Sequence, residues 1–139
     1  MKTSVKVALF VVFFVALGGI LGALYLYNKK PADMASVTPD YLLSAILLQK
    51  EFEDNQTIAS AKYINKIIEI TGTIASVNEG ENKSVSVTLN TGTPLSSVIC
   101  TITGNADTSA LIPGKELTIR GECSGFLMDV LLNNCTIIK

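Results

Sequence analysis

Histidine and tryptophan are absent from the 139 residues, and cysteine occurs only three times, at Cys100, Cys123 and Cys135. Without an imidazole, no Ser/His/Asp or Cys/His catalytic arrangement can be assembled. Cysteines this far apart form no CxxC pair and leave too few ligands for a usual zinc site. Glu79 and Glu81 flank a turn but lack EF-hand spacing, so they read as a solvated turn. The chain is expected to be non-enzymatic, with no cofactor and no metal. A basic excess is missing as well. From residue 31 onward there are seven cations against twelve acids, a net charge of −5; the other four cations are Lys2, Lys6, Lys29 and Lys30. Nucleic-acid binders draw much of their affinity from phosphate neutralisation, which an acidic domain does not supply. Aromatic residues are also scarce, since Phe126 is the only one beyond Lys66.

What is present first is an unbroken apolar or small-residue run, Val7 to Tyr27, with two lysines on each side. At about 1.5 Å per residue, a helix of this length matches a hydrocarbon core of about 30 Å. The run exceeds the apolar stretch of a usual cleaved signal. Cleavage after Ala16-Leu17-Gly18 would leave Ile20, Leu21, Leu24 and Leu26 at a new terminus, so a retained anchor is expected. No cysteine near the run offers a lipid attachment point. The flanking lysines nearly balance, and the terminal amine and Asp33 tilt the orientation toward a cytoplasmic N-terminus. The expected organisation is a cytoplasmic segment 1–6, a transmembrane signal anchor 7–27, a linker 28–37, a helix pair 38–65 and a barrel 66–139.

Thr38-Pro39-Asp40 predicts a helix start, with Thr38 as N-cap and Pro39 at the first helical position. Leu42, Leu43, Ile46, Leu47 and Phe52 then give mostly one face of a helix at 39–54. A second helix is predicted at 56–63. From Lys66 the period changes to two, and β-branched residues dominate. Five strands fit, at 66–78, 83–90, 96–103, 115–123 and 127–138, with a short helix expected over Asn105 to Leu111. Gly72 in the first strand is expected to allow a bend or bulge. Five strands with a helix or loop between the third and fourth follow the order of an OB-fold, a small Greek-key barrel.

Tyr63-Ile64-Asn65-Lys66 leading into Ile70-Thr71-Gly72-Thr73-Ile74, then Val98-Ile99-Cys100, then Gly114 through Val130 (GKELTIRGECSGFLMDV), resemble the tRNA_anti-like family. The resemblance runs from about Leu42 to Ile138. It implies a small bacterial OB-fold protein, commonly with an N-terminal membrane or lipid anchor, named for likeness to the anticodon-binding domain of tRNA synthetases. It supplies no catalytic residues, and fold alone does not fix function.

OB-folds usually bind across the second and third strands, bordered by the loops joining strands one to two and four to five. Here those loops are expected at Asn78–Asn82 and Ser124–Phe126. Lys62, Tyr63, Lys83, Arg120, Phe126 and Asp129 are the candidate ligand-binding residues. For Asp129 the competing reading is a cap on its turn or a partner for Arg120. Tyr63 competes as a packed ring and Phe126 as a plug for the barrel end. Cys100 with Cys123 is the preferred disulfide, with Cys135 as the alternative partner. The sequons at Asn55, Asn82 and Asn134 matter only in a eukaryotic secretory setting. Together these features predict a module tethered to the inner membrane by residues 7–27, with its C-terminal domain periplasmic or extracellular, recognising a protein, peptide or glycan. The alternative is a nucleic-acid-binding OB domain tethered at the cytoplasmic face.

Overall fold

The computed structural model describes residues 2–28, 33–104 and 107–138. The chain divides into two units, Met1–Pro31 and Ala32–Lys139. The first is one helix, α1 (Lys2–Asn28), with no buried residue. It is long and apolar enough to cross a membrane.

In the second unit, β1 (Tyr41–Ser44) is followed by α2 (Ala45–Asp54), α3 (Gln56–Tyr63) and β2 (Ile67–Glu79). Then come β3 (Val85–Asn90), β4 (Val98–Ile102), β5 (Glu116–Leu127) and β6 (Asp129–Ile137). The strand order is β1-β2-β3-β4-β6-β5, and pairing of β2 with β5 closes the sheet. This is a five-stranded closed barrel, β2 to β6, carrying one extra strand and two short helices. Alternation builds its interior: Val85, Val87 and Leu89 of β3 and Val98, Cys100 and Ile102 of β4 point inward and are buried. Leu48 and Phe52 of α2 and Ala59 and Tyr63 of α3 complete the same core.

The helix expected at 39–54 begins later. Asp40 donates its amide to the Ile67 carbonyl at 2.7 Å, while its carboxylate accepts from the Ile67 amide at 2.9 Å. Those two hydrogen bonds start a parallel ladder from Tyr41↔Ile68 to Ser44↔Thr71, so the chain at Thr38 leads into a strand and not into a helix. Ser44 is the N-cap, accepting from the Leu47 amide at 3.2 Å. Asn55 caps α3 in the same way through the Ile58 amide. The helix expected over Asn105 to Leu111 is a single 3-10 turn, Thr108–Ala110; residues 105 and 106 lie outside the described residues.

Gly72 serves a different purpose from the one its sequence suggests. The register shift in β2 falls between Ile74 and Ser76. At Gly72 an added Cβ would lie 2.9 Å from the Ala45 Cβ, so the glycine lets α2 approach the strand. Of the segment expected as a linker, residues 29–32 lie outside the described residues. Residues 33–37 are held to the barrel by Arg120, which donates to the carbonyls of Met34, Ala35 and Val37.

The Cys100–Cys123 bridge is not formed, and all three cysteines are free and buried. The topology explains why. β6 runs between β4 and β5, and its Leu132 is opposite Cys100 on one side and Cys123 on the other. Cys100 instead meets Cys135, whose hydrogen bond, with burial, pushes the Cys100 thiol well above its ordinary pKa. Burial pushes Cys123 up to about 11.

Candidate ligand-binding site

The outer face of β3 and β4 is where an OB-fold usually meets its ligand. Between the inward residues, β3 turns Ser86 and Thr88 outward and β4 turns Ile99 and Thr101 outward, all half-buried. The register sets Ser86 against Thr101 and Thr88 against Ile99, and extends through Asn78 and Ser76 of β2. This strip is uncharged and has no aromatic ring. It can offer hydroxyls, but no stacking platform of the kind worth roughly 1–3 kcal/mol per base.

A second surface lies at the end of the barrel where β5 turns into β6. The β5 strand continues past the expected loop 124–126 to Leu127, so the turn is reduced to Met128, whose φ is 70°. A non-glycine residue rarely takes this conformation, and such strain persists only where the surroundings hold it. Here the β3–β4 connection does so. Ser96 Oγ donates to the Met128 carbonyl at 2.5 Å. Asp129 Oδ1 accepts from the Ser97 amide at 2.7 Å and from the Ser97 hydroxyl at 2.8 Å. Thr91 Oγ1 donates to the Ser96 carbonyl within the connection. Two loops are thereby fastened side by side.

Their tips are apolar and stand in solvent: Leu95 is 81 % exposed, Leu127 78 % and Met128 74 %. With Glu53, Gln56, Ser96 and Phe126 they line an open groove of about 670 Å³. Phe126 stacks on the buried Phe52 with ring centroids 5.4 Å apart and planes at 19°. Holding three large apolar side chains out on hydrogen-bonded loops costs solvation in the free protein, which is the usual mark of a docking surface.

The six residues singled out from sequence fall in four places. Phe126 and Asp129 belong to this end of the barrel, although Asp129 is bound to Ser97 and does not meet Arg120. Lys62 and Tyr63 converge on Glu51 Oε2, donating at 2.9 and 2.7 Å. The Tyr63 hydroxyl, followed by the Lys62 ammonium, holds the Glu51 carboxyl below its ordinary pKa. The Lys62 ammonium also sits 4.7 Å from the Tyr63 ring centroid and 5.7 Å from that of Tyr41. This cluster fastens α3 to α2. Arg120 is committed to Glu69 and the carbonyls before β1. Lys83 stands apart in the β2–β3 connection, by a shallow pocket with Glu79 and Thr108.

Comparison with known proteins places this architecture. The sequence matches the tRNA_anti-like family over residues 1–137. The chain belongs to the tRNA_anti-like family. No curated protein matches it. A crystal structure of a lipoprotein from Klebsiella pneumoniae subsp. pneumoniae MGH 78578, described as nucleic acid-binding, superposes with a TM-score of 0.59 at 20 % identity, covering 79 % of this chain and 100 % of that one. At that identity the likeness shows the fold alone. A protein from Leishmania major Friedlin, described as an aspartyl-tRNA synthetase, reaches a TM-score of 0.42 at 10 % identity, over 84 % of this chain and 25 % of that one. That score is too low to establish a shared fold.

For this tRNA_anti-like protein, sequence reasoning missed Leu95, Leu127 and Met128 as site residues. A signal was present: Leu-Met at a strand junction and Leu after Pro94 in a turn-rich tract. It also missed Gln49, whose Nε2 is buried without a hydrogen-bond partner among the described residues. Among those residues no three His, Cys, Asp or Glu side chains are grouped to hold a metal ion.

Proposed function

We propose that this protein is a membrane-tethered, non-enzymatic OB-fold module that docks a polypeptide at the β5–β6 end of its barrel. Residues 7–27 anchor it in the inner membrane, and the barrel faces the periplasm or exterior. The observation that carries this reading is the groove flanked by Leu95, Leu127 and Met128, held open by the Ser96–Met128 and Ser97–Asp129 hydrogen bonds. An apolar groove of this kind suits side chains of a polypeptide, since docking removes apolar surface from water. A glycan would find few aromatic faces, and an oligonucleotide would find neither rings nor cations on the outer strip of β3 and β4. The sequence has no histidine for a Ser/His or Cys/His pair, and all three thiols are buried.

The test places a photo-crosslinking amino acid at Met128 in the full-length chain in intact membranes. Adducts with a polypeptide are expected. Adducts made only with nucleic acid or lipid, or no adduct, would overturn the reading. A reporter fused after Lys139 tests the orientation: activity of an exported enzyme is expected, and activity confined to a cytoplasmic reporter would sink the outward-facing arrangement.

A further inference from the structure

We infer that Cys100 and Cys135 are a disulfide pair, the covalent lock of the seam where β6 joins β4. The thiol pair described above is its reduced state. On β4, Cys100 stands between Val98 and Ile102 in the alternation and points with them into the barrel. Ile102 is opposite Cys135 on β6, and Cys100 is opposite Leu132. The two cysteines are therefore diagonal neighbours on the inner face of adjacent strands, both buried, with their thiols in hydrogen-bonding contact. Cys123 is excluded, because Leu132 stands between it and Cys100.

The chain departs from a regular strand to seat the Cys135 thiol. Strict alternation from Leu132 would turn Asn134 inward and Cys135 outward. β6 avoids this with one extra residue, which both of its neighbours register. Against β4, Cys100 to Ile102 faces Leu132 to Cys135; against β5, Arg120 to Glu122 faces Thr136 to Asn133. Asn134 closes the bulge at φ 52°, a left-handed conformation that asparagine tolerates better than most side chains. Bulges re-aim side chains, and this one brings Cys135 inside. Gly121 of β5 completes the seat, since an added Cβ there would overlap Cys135 Sγ. An aliphatic residue at position 134 of an unbroken strand would fill a core without any of this. Here a bulge, a left-handed residue and a glycine combine to set sulfur beside sulfur.

The bond is made before the barrel closes. In the finished fold both thiols are buried and Cys100 is held protonated, so the attacking thiolate is scarce. β6 is the last strand in the chain and lies between β4 and β5, so neither thiol is enclosed until β6 is in place. The oxidant is a disulfide, either of a protein or of a small thiol. The Cys100 thiolate attacks one of its sulfurs and releases the first thiol; the Cys135 thiolate then attacks the Cys100 sulfur of the mixed disulfide and releases the second. Two cysteines are oxidised, one disulfide is reduced to two thiols, and the two cysteine protons end on those thiols. In cells this needs an oxidising compartment, so there it rests on the outward-facing arrangement proposed above. The far end of the same seam carries the groove: Val130 donates to the Ser97 carbonyl at 3.0 Å, and Asp129 accepts from Ser97. The bridge fixes the β4–β6 register on which those contacts depend.

The full-length chain is unfolded and reduced in urea, refolded into detergent micelles with reduced and oxidised glutathione, quenched in acid and alkylated in denaturant. Cleavage after lysine and arginine and before aspartate puts the three cysteines on separate peptides. Mass spectrometry should find the Cys100 and Cys135 peptides joined in most molecules and Cys123 alkylated. The urea midpoint of this product should fall when a phosphine reductant is added; the fall should be absent in Cys135→Ala and kept in Cys123→Ala. Three alkylated cysteines, or a bridge that includes Cys123, would overturn the pairing. A bridged product whose midpoint is indifferent to the reductant would overturn its role as a lock. Whole cells trapped in acid should give one alkylated cysteine before reduction and three after it. Three before reduction, from a chain that bridges on refolding, would overturn the outward-facing arrangement and leave the Cys100–Cys135 pairing standing.

Discussion

Replacing Arg120 by methionine should release the chain ahead of the barrel and cost the domain about 3–5 kcal/mol. The guanidinium gives Nε and Nη2 to Glu69 Oε2 at 3.1 and 2.6 Å. Its Nη1 reaches the carbonyls of Met34, Ala35 and Val37 at 3.1, 3.1 and 2.7 Å. The two charged side chains are 13 % and 19 % exposed, so water screens the pair only in part. Stranding one member of a buried pair costs about 3–5 kcal/mol, and partial exposure moves the Glu69 share toward about 2–3. The carbonyls of Met34 and Val37 are part-buried and add about 0.5–1 kcal/mol each, whereas that of Ala35 turns to water. The total is a large share of the roughly 5–15 kcal/mol that holds a domain. Glu69→Leu should cost less, because the three carbonyl bonds survive. The double variant should fall short of the summed single costs by about 1.5 kcal/mol or more, since the two side chains share one contact. Urea unfolding of the full-length protein in detergent micelles measures all three, and amide exchange at Ala35 to Val37 should rise in the Arg120 variant. An Arg120→Met cost below about 0.5 kcal/mol, or strict additivity in the double variant, would refute the reasoning.

Gly121→Ala should destabilise by about 1–3 kcal/mol through overpacking: its Cβ would collide with Cys135 Sγ and lie 3.1 Å from the Asn133 carbonyl. Cys135→Ala should recover part of the loss in thermal melts, but not all, because the backbone contact remains. Glu51 is held below its ordinary value of 4.5 chiefly by the Tyr63 hydroxyl. Its stabilisation is complete above that value and is lost as pH falls through the lowered pKa. The wild type should therefore lose more stability than Glu51→Gln on acidification below about pH 4.5, read from urea midpoints. Gln49→Leu should raise the urea midpoint by the equivalent of about 1 kcal/mol, because it removes a buried amide donor that has no partner among the described residues. Polypeptide crosslinking at Met128 should be nearly unchanged between 50 and 500 mM salt; a steep fall would point to phosphate or other ionic contacts instead.

The barrel was legible because its signal is local. Val85, Val87 and Leu89 alternate with Ser86 and Thr88, and a two-residue period can be read without knowing the partner strand. The helix at 56–63 was readable for the same reason, since its pattern lies within a few residues; its cap, Asn55, was read only as a sequon although the amide it accepts from is three residues away. Long-range chemistry was not legible. Asp40 looks like a first-turn helix residue, yet its carboxylate meets an amide 27 residues away. Arg120 finds its carbonyl partners 83 to 86 residues back, so as a lone cation it reads as a ligand contact. Register shifts hid the groove. β5 slips against β6 between Arg120 and Glu122 and again between Cys123 and Gly125. The first slip puts its extra residue in β6 and leaves the alternation of Leu117, Ile119, Gly121 and Cys123 intact, but the second puts one in β5, so alternation counted from Leu117 cannot tell that Leu127 ends in water.

Closure of the barrel and the choice of ligand rest on different side chains. A barrel closed by β2 to β6 constrains the inward half of each strand, since Val87, Cys100 and Leu132 must fill one interior. The outward half is free to vary with little effect on closure. In this chain it carries Ser86, Thr88 and Thr101, which suit a solvated strip and give no stacking surface. Leu42, Ile46 and Ile58 are exposed near the helices, and a further apolar group stands at the β3–β4 connection and the β5–β6 junction, where Leu95, Leu127 and Met128 lie beside the hydrogen bonds of Ser96, Ser97 and Asp129. A strained Met128 and an Asp129 whose Oδ1 accepts two hydrogen bonds are not needed for a plain hairpin, which a glycine at the turn would close without strain. Binding free energy at this end would come from removing apolar surface from water, not from neutralising phosphates. On the proposed reading, binding at this end therefore follows the apolar surface removed from water and responds little to salt.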